Sequence, residues 1–430
     1  MYAMHALILG AGVVGVTTAY TLAKDGARVT VIDQRPGAAQ ETSAANGGHL
    51  SASEARPWAT PSVPRQLVRW FGQAGAPLRL PLYRWDPMLW RWGLQYLSNC
   101  RPERYRANAA ALLRLARFSQ QQMHELAAAA RVEFEFRPGG LLSLYRTPAS
   151  LRHAQRDSAH FAAQQLVDDE FLDPAQCAQR EPALGAALQR GLIAGGIFSR
   201  DGATGDAARF TLGIAQRAAE LGVEFRFGLP VRGLIRNGNR VVGASTTMGA
   251  VRADATVLAL GMGSRSVART AGIQLPLYPV KGYSITLGAS GDDARLPRMG
   301  ILDDDKKVVY ARFDDALRAA GTAEFAGFDR RIDHRRIDPI LGAVQEMFPG
   351  PFDAVQVAGA AAWTGLRPMT PDGPPILGPA SNMPGLFLNT GHGPLGWTLA
   401  AGSARLIADW LGGRTLGLDA APYSIERFRP

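Results

Sequence analysis

The N-terminal pattern consists of a short apolar run, a glycine cluster, an amphipathic stretch and a second apolar run. Residues 6–9 are apolar, and the three glycines of 10–15 follow in the spacing Gly-x-Gly-x-x-Gly. A helical pattern then extends to Lys24, and the run RVTVID ends in Asp33. This order predicts a strand, a tight turn, a helix and a second strand, which together form a dinucleotide-binding βαβ unit.

Each glycine of this unit has a separate predicted task. Gly10 makes the tight turn, Gly12 lets the backbone approach a pyrophosphate, and Gly15 lets the helix pack closely on the strand. Asp33 is expected to accept hydrogen bonds from ribose hydroxyls, and the phosphates to lie at the helix N-terminus. The residues predicted to contact the dinucleotide here are Gly10, Ala11, Gly12, Val13, Val14, Gly15, Asp33, Gln34 and Arg35.

The alternation of strands and helices stops after Asp33. The stretch that follows, QRPGAAQETSAANGGHLSAS, is polar and glycine-rich. A loop of that length in a compact domain is usually functional, so we expect it to contact the cofactor. The candidate contacts are Thr42, Ser43, Asn46, Gly47, Gly48 and His49.

The alternation resumes only after residue 200. Residues 204–234 predict an amphipathic helix, a turn and a strand, and a hairpin and the buried strand TVLALG follow. A nucleotide domain that is interrupted by a large insertion is typical of flavin enzymes rather than of simple nicotinamide enzymes. Further cofactor contacts are predicted at Val231, Ala259 and Gly261.

A second glycine-rich helix start, TGHGPLGWTLAAGSA, occupies residues 390–404. The glycines of this stretch allow a cofactor to approach the backbone closely. The backbone N–H groups and the helix dipole stabilise negative charge on the cofactor, such as that of a reduced flavin ring. The alternative interpretation is a glycine-capped surface helix. The cofactor contacts predicted here are Gly391, Gly393, Leu395, Gly396 and Thr398.

Composition narrows the class of protein. The 430 residues are 47% hydrophobic and 20% charged, as in a globular protein of two or three domains. Cys100 and Cys177 give neither a disulfide framework nor a zinc spacing, and the seven histidines are scattered, so no metal site is expected. The N-terminal apolar run lacks a basic flank, which favours a βα unit over a signal peptide and predicts a cytoplasmic location.

Six long motifs resemble one family in the same order along nearly the whole chain. They are GAGVVGVTTAYTLAKDGARVTVID, ETSAANGGHLS, GVEFRFGLPV, PVKGYSITL, WTGLRPMTPDGPPILG and LFLNTGHGPLGWTLAAGSARLIADW. These motifs resemble the bacterial D-amino acid dehydrogenase small subunits, which belong to the FAD-dependent D-amino acid oxidase superfamily. The resemblance implies non-covalent FAD, oxidative deamination of D-amino acids by hydride transfer from Cα to flavin N5, and electron delivery to quinone or another respiratory acceptor.

The resemblance also implies the substrate-binding residues. Arg367 matches the arginine with which the superfamily binds the substrate carboxylate through two parallel charge-assisted hydrogen bonds. Tyr283 is the second residue expected to contact the substrate carboxylate. The alternative is that Tyr283 is a core residue whose hydroxyl is hydrogen-bonded within the protein. Some relatives carry another arginine in the late glycine loop, where this chain has GHGPLG, so Arg312 is a substitute candidate. His392 and His49 are expected near the flavin, for proton relay or for packing.

The predicted fold class is α/β. A Rossmann-like FAD-binding domain is interleaved with an antiparallel-sheet substrate domain that carries a helical insertion. Strand candidates in the substrate domain are GGLLSLYR, KGYSITL and KVVYARF. The predicted boundaries are 1–56, 203–275 and 360–430 for the FAD-binding domain, and 57–202 and 276–359 for the substrate domain, with a basic segment within 57–135.

Charge is concentrated in one segment. The chain has a net charge of +10, and residues 56–117 hold eleven arginines against Asp86 and Glu103, together with five of the eight tryptophans. Arginine with tryptophan is typical of a surface at a lipid interface, so peripheral contact with the inner face of a bacterial membrane is predicted. The alternative is a solvated arginine face over a tryptophan-rich core. No groove-reading motif is present, so no nucleic-acid partner is expected.

Two other functions stay open at this point. One is an oxygen-reducing amine or imino acid oxidase of the glycine, sarcosine or hydroxyproline type, which peroxide production would reveal. The other is an assembly factor that binds FAD without turnover, against which the presence of Arg367 and Tyr283 argues.

Overall fold

Two large β-sheets, each covered by helices, form most of the structure. The computed structural model describes residues 4–70, 78–79, 85–288, 295–314, 316–350, 352, 354–380 and 382–429. The strands in these residues are β1 (His5–Leu9), β2 (Arg28–Ile32), β3 (His49–Leu50), β4 (Leu78–Arg79), β5 (Arg137–Pro138), β6 (Leu141–Tyr145), β7 (Asp169–Leu172), β8 (Gly195–Ser199), β9 (Ala203–Thr204), β10 (Glu224–Arg226), β11 (Val231–Asn237), β12 (Arg240–Thr246), β13 (Gly249–Arg252), β14 (Ala255–Leu258), β15 (Tyr278–Gly288), β16 (Gly300–Asp303), β17 (Val308–Phe313), β18 (Ala316–Glu324), β19 (Ala361–Met369), β20 (Ile376–Pro379) and β21 (Leu386–Thr390). The helices are α1 (Val13–Lys24), α2 (Val63–Trp70), α3 (Pro87–Asn99), α4 (Pro102–Ala130), α5 (Pro148–Ala162), α6 (Pro174–Arg180), α7 (Gly185–Gln189), α8 (Ala207–Glu220), α9 (Gly263–Arg269), α10 (Asp338–Met347), α11 (Ala354–Ala358) and α12 (Gly396–Leu411).

The first sheet has the strand order β10-β2-β1-β14-β21-β20. Neighbours from β10 to β21 are parallel, and β20 pairs antiparallel with β21. Because side chains alternate along a strand, Ala6 and Ile8 pack with α1, α8 and α12, whereas Leu7 and Leu9 pack with β12, β13 and α9. The predicted βαβ unit therefore lies at the centre of a sheet that is buried on both faces.

The second sheet has nine strands in the described residues, in the order β19-β15-β18-β17-β16-β6-β8-β7, with β4 paired to β18. Most of its pairs are antiparallel; β16 with β6 and β18 with β4 are parallel. Ile285 and Tyr310 pack under α7 and α10 on one face. On the opposite face the Ser284 hydroxyl donates to the carbonyl of Ala45, 2.9 Å away, and so links this sheet to the loop after β2.

The predicted α/β fold class is confirmed, with a mostly parallel sheet and a mostly antiparallel sheet. The three strand candidates form β6, β15 and β17, and the predicted helical insertion contains α3 to α7. The first sheet takes its strands from all three segments predicted for the FAD-binding domain. The residue boundaries themselves stay a prediction, and one strand crosses them: β19, in 360–430, pairs with β15 in the second sheet.

Helix α4 joins the insertion to the first sheet through α12. The Ser119 hydroxyl donates to the Thr398 carbonyl at 2.7 Å and accepts from the Gly402 N–H at 3.0 Å. A Cβ on Gly402 would lie 2.8 Å from the Ser119 Cα, so only glycine lets the two helix backbones touch. This contact ties the N-terminal part of α12 to a helix from a distant part of the chain.

Replacing Gly402 with alanine is expected to lower the free energy of unfolding by about 1–3 kcal/mol, because α4 must move away from α12. The thermal midpoint, measured with excess FAD, should fall. Gly93→Ala in α3 is the matched control, since a Cβ there meets no atom within 4 Å and alanine favours the helix. A Gly402→Ala midpoint equal to that of the control would contradict the close packing of α4 on α12.

Candidate active site

The tight turn between β1 and α1 depends on two glycines that are packed against backbone. Gly10 has φ of 112°, and a Cβ on it would collide with the Ala259 carbonyl at the end of β14. A Cβ on Gly15 would collide with the carbonyl of Gly10. These contacts bring the first turn of α1 directly onto the carboxyl ends of β1 and β14, as the spacing of the glycines predicts.

Gly12 differs from these two glycines because a Cβ on it would not collide with the backbone. The nearest atom to a Cβ on Gly12 would be the Ser43 hydroxyl oxygen, at 3.4 Å. The same hydroxyl accepts a hydrogen bond from the Val13 N–H at 3.0 Å. The backbone at Gly12 is therefore accessible to a ligand at the N-terminus of α1, where the helix dipole favours a phosphate.

Asp33 is held at the end of β2 by backbone donors. One carboxylate oxygen accepts from the Ala11 N–H at 2.7 Å and the other from the Arg35 N–H at 2.8 Å. The residue is partly exposed, so its remaining lone pairs are available to hydroxyl groups. Gln34 is exposed, and the Arg35 side chain is directed to Glu41, with a shortest N–O distance of 2.5 Å.

The second glycine-rich helix start lies beside the first one. A Cβ on Gly396 would be 4.0 Å from a methyl group of Val14, which is in the first turn of α1. Neither α1 nor α12 has an acidic residue in its first turn or a capping side chain at its N-cap position. Two positive helix ends thus meet at one place, and neither helix has an acidic residue in its own first turn.

The loop before α12 requires glycine at two positions, because of its backbone conformation and its close packing. Gly391 and Gly393 have φ of 81° and 55°, and a Cβ on either would lie 2.8 Å from a side-chain atom, of Thr370 and of Met369 respectively. Leu395 precedes the helix, and the Thr398 carbonyl is engaged by α4. This loop is therefore seated on the end of β19.

The polar loop after β2 packs against the second sheet. A Cβ on Gly47 would lie 2.5 Å from a methyl group of Val309, and one on Gly48 would collide with the ring of Phe313. Asn46 accepts from the Gly48 N–H at 2.9 Å, and Thr42 is exposed. Gly47 and Gly48, predicted as cofactor contacts, thus lie close against β17 and place the loop against the second sheet.

The two candidate histidines are neutral and hydrogen-bonded. Burial lowers the pKa of His392 to about 3, and its Nε2 lies 3.0 Å from the Ser403 hydroxyl in α12. Burial lowers the pKa of His49 to about 4, although a hydrogen bond to the Tyr310 carbonyl acts in the opposite direction. Both contacts are to the protein itself, which favours the packing interpretation over proton relay.

The remaining candidate contacts lie at the carboxyl edge of the first sheet or near it. Ala259 donates its N–H to the Leu9 carbonyl at 2.8 Å, and Gly261 accepts from the Thr390 hydroxyl at 3.2 Å. Val231 begins β11 and is partly buried. The open backbone at Gly12, the fixed carboxylate of Asp33 and the adjoining helix starts fit a long dinucleotide cofactor such as FAD.

Arg367 lies on β19 with its guanidinium group flat on Gly282 of β15, where a Cβ would collide with it. It donates to the Thr322 carbonyl at 3.0 Å and lies 5.5 Å from the ring centre of Trp58. Within the described part of the chain no carboxylate forms an ion pair with it, and burial lowers its pKa to about 10. A cation in this position is suited to bind an external carboxylate.

Tyr283, predicted to contact the same carboxylate as Arg367, lies on the opposite face of the second sheet. Gly282 faces Arg367, so the next residue of β15 points to the other face of the sheet. There the Tyr283 hydroxyl donates to Glu324 at 2.7 Å, and burial raises the pKa of this tyrosine. Tyr283 thus takes the alternative role, that of a core tyrosine with a satisfied hydroxyl.

Arg312 is also outside this region. On β17, Ala311 and Phe313 face the loop at Gly48, so Arg312 between them points to the opposite face. Its role as a second cation for the substrate stays a prediction, which this orientation does not favour.

Sequence reasoning did not single out Trp363, Gly365 and Gly282. Gly365 and Gly282 face each other in the β15–β19 pair, and the Trp363 ring lies over Gly365. In WTGLR the residues Trp363, Gly365 and Arg367 are two positions apart, a spacing that places them on one face of a strand. The partner glycine on another strand was not visible, because sequence does not give strand register.

Replacing Gly12 with valine is expected to abolish retention of FAD, because the branched side chain would occupy the place expected for the pyrophosphate at the start of α1. The ratio of flavin absorbance to protein after gel filtration measures this. Gly342→Val is the control, since a Cβ there meets no atom within 4 Å. Equal flavin content in the Gly12 and Gly342 variants would mean that the cofactor lies elsewhere.

Comparison with known proteins agrees with this geometry. Residues 5–410 match the family model described as FAD dependent oxidoreductase. The chain is 44% identical over 431 residues to a D-amino acid dehydrogenase of Paramagnetospirillum magneticum, covering 99% of each chain. It is 41% identical over 425 residues to a D-amino acid dehydrogenase of Rhizobium rhizogenes, covering 99% of this chain and 100% of the relative.

Solved structures share the fold at lower identity. Glycine oxidase from Geobacillus kaustophilus superimposes with a TM-score of 0.76 at 22% identity, over 99% of each chain. Iminodiacetate oxidase from Chelativorans sp. BNC1 gives a TM-score of 0.71 at 24% identity, over 97% of this chain and 98% of that one. From the family match over nearly its whole length, the chain belongs to the FAD-dependent oxidoreductase family.

Proposed function

We propose that this protein oxidises D-amino acids to 2-oxo acids and ammonia with FAD as cofactor. Its relatives at 41–44% identity are named D-amino acid dehydrogenase, and they match the chain end to end. The observation that carries the proposal is the guanidinium of Arg367, which is partly buried against Gly282 and has no carboxylate partner among the described residues. An amino acid brings the missing carboxylate.

The residues of this chain perform the positioning in the proposed reaction. Arg367 holds the carboxylate by a pair of charge-assisted hydrogen bonds and so fixes the orientation of the substrate Cα. The N-termini of α1 and α12 stabilise negative charge on the cofactor. FAD, when bound, supplies the acceptor for the hydride that leaves Cα. Water then hydrolyses the imino acid to the 2-oxo acid and ammonia.

Arg367→Met is expected to retain FAD but to lose about 2–5 kcal/mol of transition-state stabilisation in kcat/KM for D-alanine. Methionine keeps the packing on Gly282 but removes the charge. Arg367→Lys should recover only part of the activity, because an ammonium group cannot form two parallel hydrogen bonds with a carboxylate. Anaerobic bleaching of the flavin by D-alanine measures both variants. Near wild-type rates for Arg367→Met would show that another residue binds the substrate carboxylate.

We propose further that the electrons pass to a membrane quinone and that α3 mediates contact with the membrane. No helix in the described part of the chain has the length and hydropathy of a membrane span. The support for the proposed contact is an apolar stripe on the outer face of α3. Trp90, Leu94 and Leu97 are 44%, 71% and 42% exposed, and Trp85, just before the helix, is 83% exposed.

Basic residues surround this stripe. Arg91 in α3 and Arg101 and Arg104 at the start of α4 are exposed, as the attraction to anionic headgroups requires. Trp58 and Trp92, by contrast, pack against the second sheet, so the core interpretation applies to them. The side chains of Arg69, Trp70, Arg79 and Arg84 lie outside the described residues.

The double variant Trp90→Ser/Leu94→Ser is expected to lower the partition onto anionic liposomes about tenfold or more at low salt, since a large apolar side chain contributes about 1.5–3 kcal/mol when fully buried. Phe171→Ser on β7 is the control, because Phe171 is also 44% exposed. Sedimentation with the liposomes measures the bound fraction.

Two results would count against the membrane proposal. One is that the wild-type protein does not bind liposomes at low salt. The other is that the control Phe171→Ser loses as much binding as the double variant Trp90→Ser/Leu94→Ser. Fast reduction of a quinone analogue with little peroxide is expected from the same preparation. Rapid peroxide formation would instead favour the oxygen-reducing amine or imino acid oxidase.

A further inference from the structure

Two glycines that face each other form a flat floor beside Arg367. Gly282 of β15 and Gly365 of β19 are directly paired in the antiparallel ladder. Paired residues have Cα atoms about 4.5–5.5 Å apart, and their side chains would project on the same face of the sheet. With no side chain at either position, the backbone itself forms the surface, here called the Gly282–Gly365 floor.

Two large side chains of β19 lie on this floor and lean toward each other. Arg367 is paired with Val280 but places its guanidinium on Gly282, two residues along β15. Trp363 is paired with Ser284 and places its ring on Gly365, so it leans in the opposite direction. The guanidinium and the indole are therefore neighbours across the paired glycines.

A second aromatic ring borders the same guanidinium. The ring centre of Trp58 lies 5.5 Å from the Arg367 guanidinium carbon. Both tryptophans are partly exposed, so each presents part of its surface outside the core. Two apolar rings therefore lie near the group that would hold the substrate carboxylate.

We propose that Trp363 is the residue that determines which substrate side chains fit, and that the Gly282–Gly365 floor sets its position. The inference rests on the proposed amino acid oxidation, since it takes Arg367 as the carboxylate site. A ring next to the guanidinium contacts the substituents of the substrate Cα. It favours uncharged side chains, because a charged group would lose its hydration against the indole.

The two glycines provide a matched pair of alanine variants with different consequences. Gly365→Ala places a methyl group under the Trp363 ring and raises it from the sheet, which narrows the space for the substrate side chain. Gly282→Ala places the same methyl group under the Arg367 guanidinium and displaces the carboxylate site. Gly365→Ala should therefore change the selectivity between substrates. Gly282→Ala should lower kcat/KM for all substrates by a similar factor.

The experiment compares D-phenylalanine with D-alanine through the ratio of their kcat/KM values. Trp363→Ala is expected to raise this ratio about tenfold or more because it opens space, and Gly365→Ala to lower it by a similar factor. Gly282→Ala should leave the ratio unchanged while it lowers both kcat/KM values. Trp363→Phe keeps an aromatic ring and should raise the ratio of kcat/KM values less than Trp363→Ala does. It replaces Trp363→Ala as the test if the alanine variant does not fold.

A binding measurement separates this inference from the proposed reaction. The dissociation constants of phenylacetate and propionate, read from perturbation of the flavin spectrum, should change in ratio in the same directions without any turnover. Ratios for Trp363→Ala and Trp363→Phe that equal the wild-type ratio would overturn the role of Trp363. Failure of every D-amino acid to bleach the wild-type flavin would instead overturn the proposed reaction, and the carboxylate ratios would still test Trp363.

Discussion

The meeting of two helix N-termini is the constraint on which the rest of the structure depends. α1 begins near the N-terminus of the chain and α12 near the C-terminus, yet Gly396 lies beside Val14. Two positive helix ends at one place, without acidic residues in their first turns, form a site suited to an anionic ligand. The parallel first sheet holds both starts at its carboxyl edge, because β1 and β21 flank β14 there.

The second sheet is placed relative to this site by packing rather than by chain connection. Gly47 and Gly48 let the loop after β2 lie against β17, and Ser284 bonds to the same loop. Arg367 lies on the sheet face that carries Ser284, since Gly282 and Ser284 are two residues apart on β15. A cation without a carboxylate partner among the described residues thus faces the region between the sheets. The partial burial of this cation is costly unless a ligand supplies a negative charge.

Strand alternation decides which polar residues belong to the site. Tyr283 follows Gly282 directly and is therefore directed to the opposite face, where it donates to Glu324, with Lys281 3.8 Å from the same carboxylate. Arg312 on β17 points away by the same rule. Trp363 and Arg367 share one face because they are four residues apart on β19. The position of a residue along its strand thus decides whether its side chain points toward the site or away from it, even among residues of similar chemistry.

The sequence by itself determined the βαβ unit, the late helix start, the family and the candidate role of Arg367, because these depend on local spacing and on residue type. It also predicted the two kinds of sheet from periodicity. Only the tertiary structure decided that Gly47 and Gly48 approach β17, that Tyr283 and Arg312 point away, and that Gly282 faces Gly365. Those outcomes depend on the register between strands that are distant in the chain. No local pattern encodes that register, because it is set by the packing of both faces of a sheet at once.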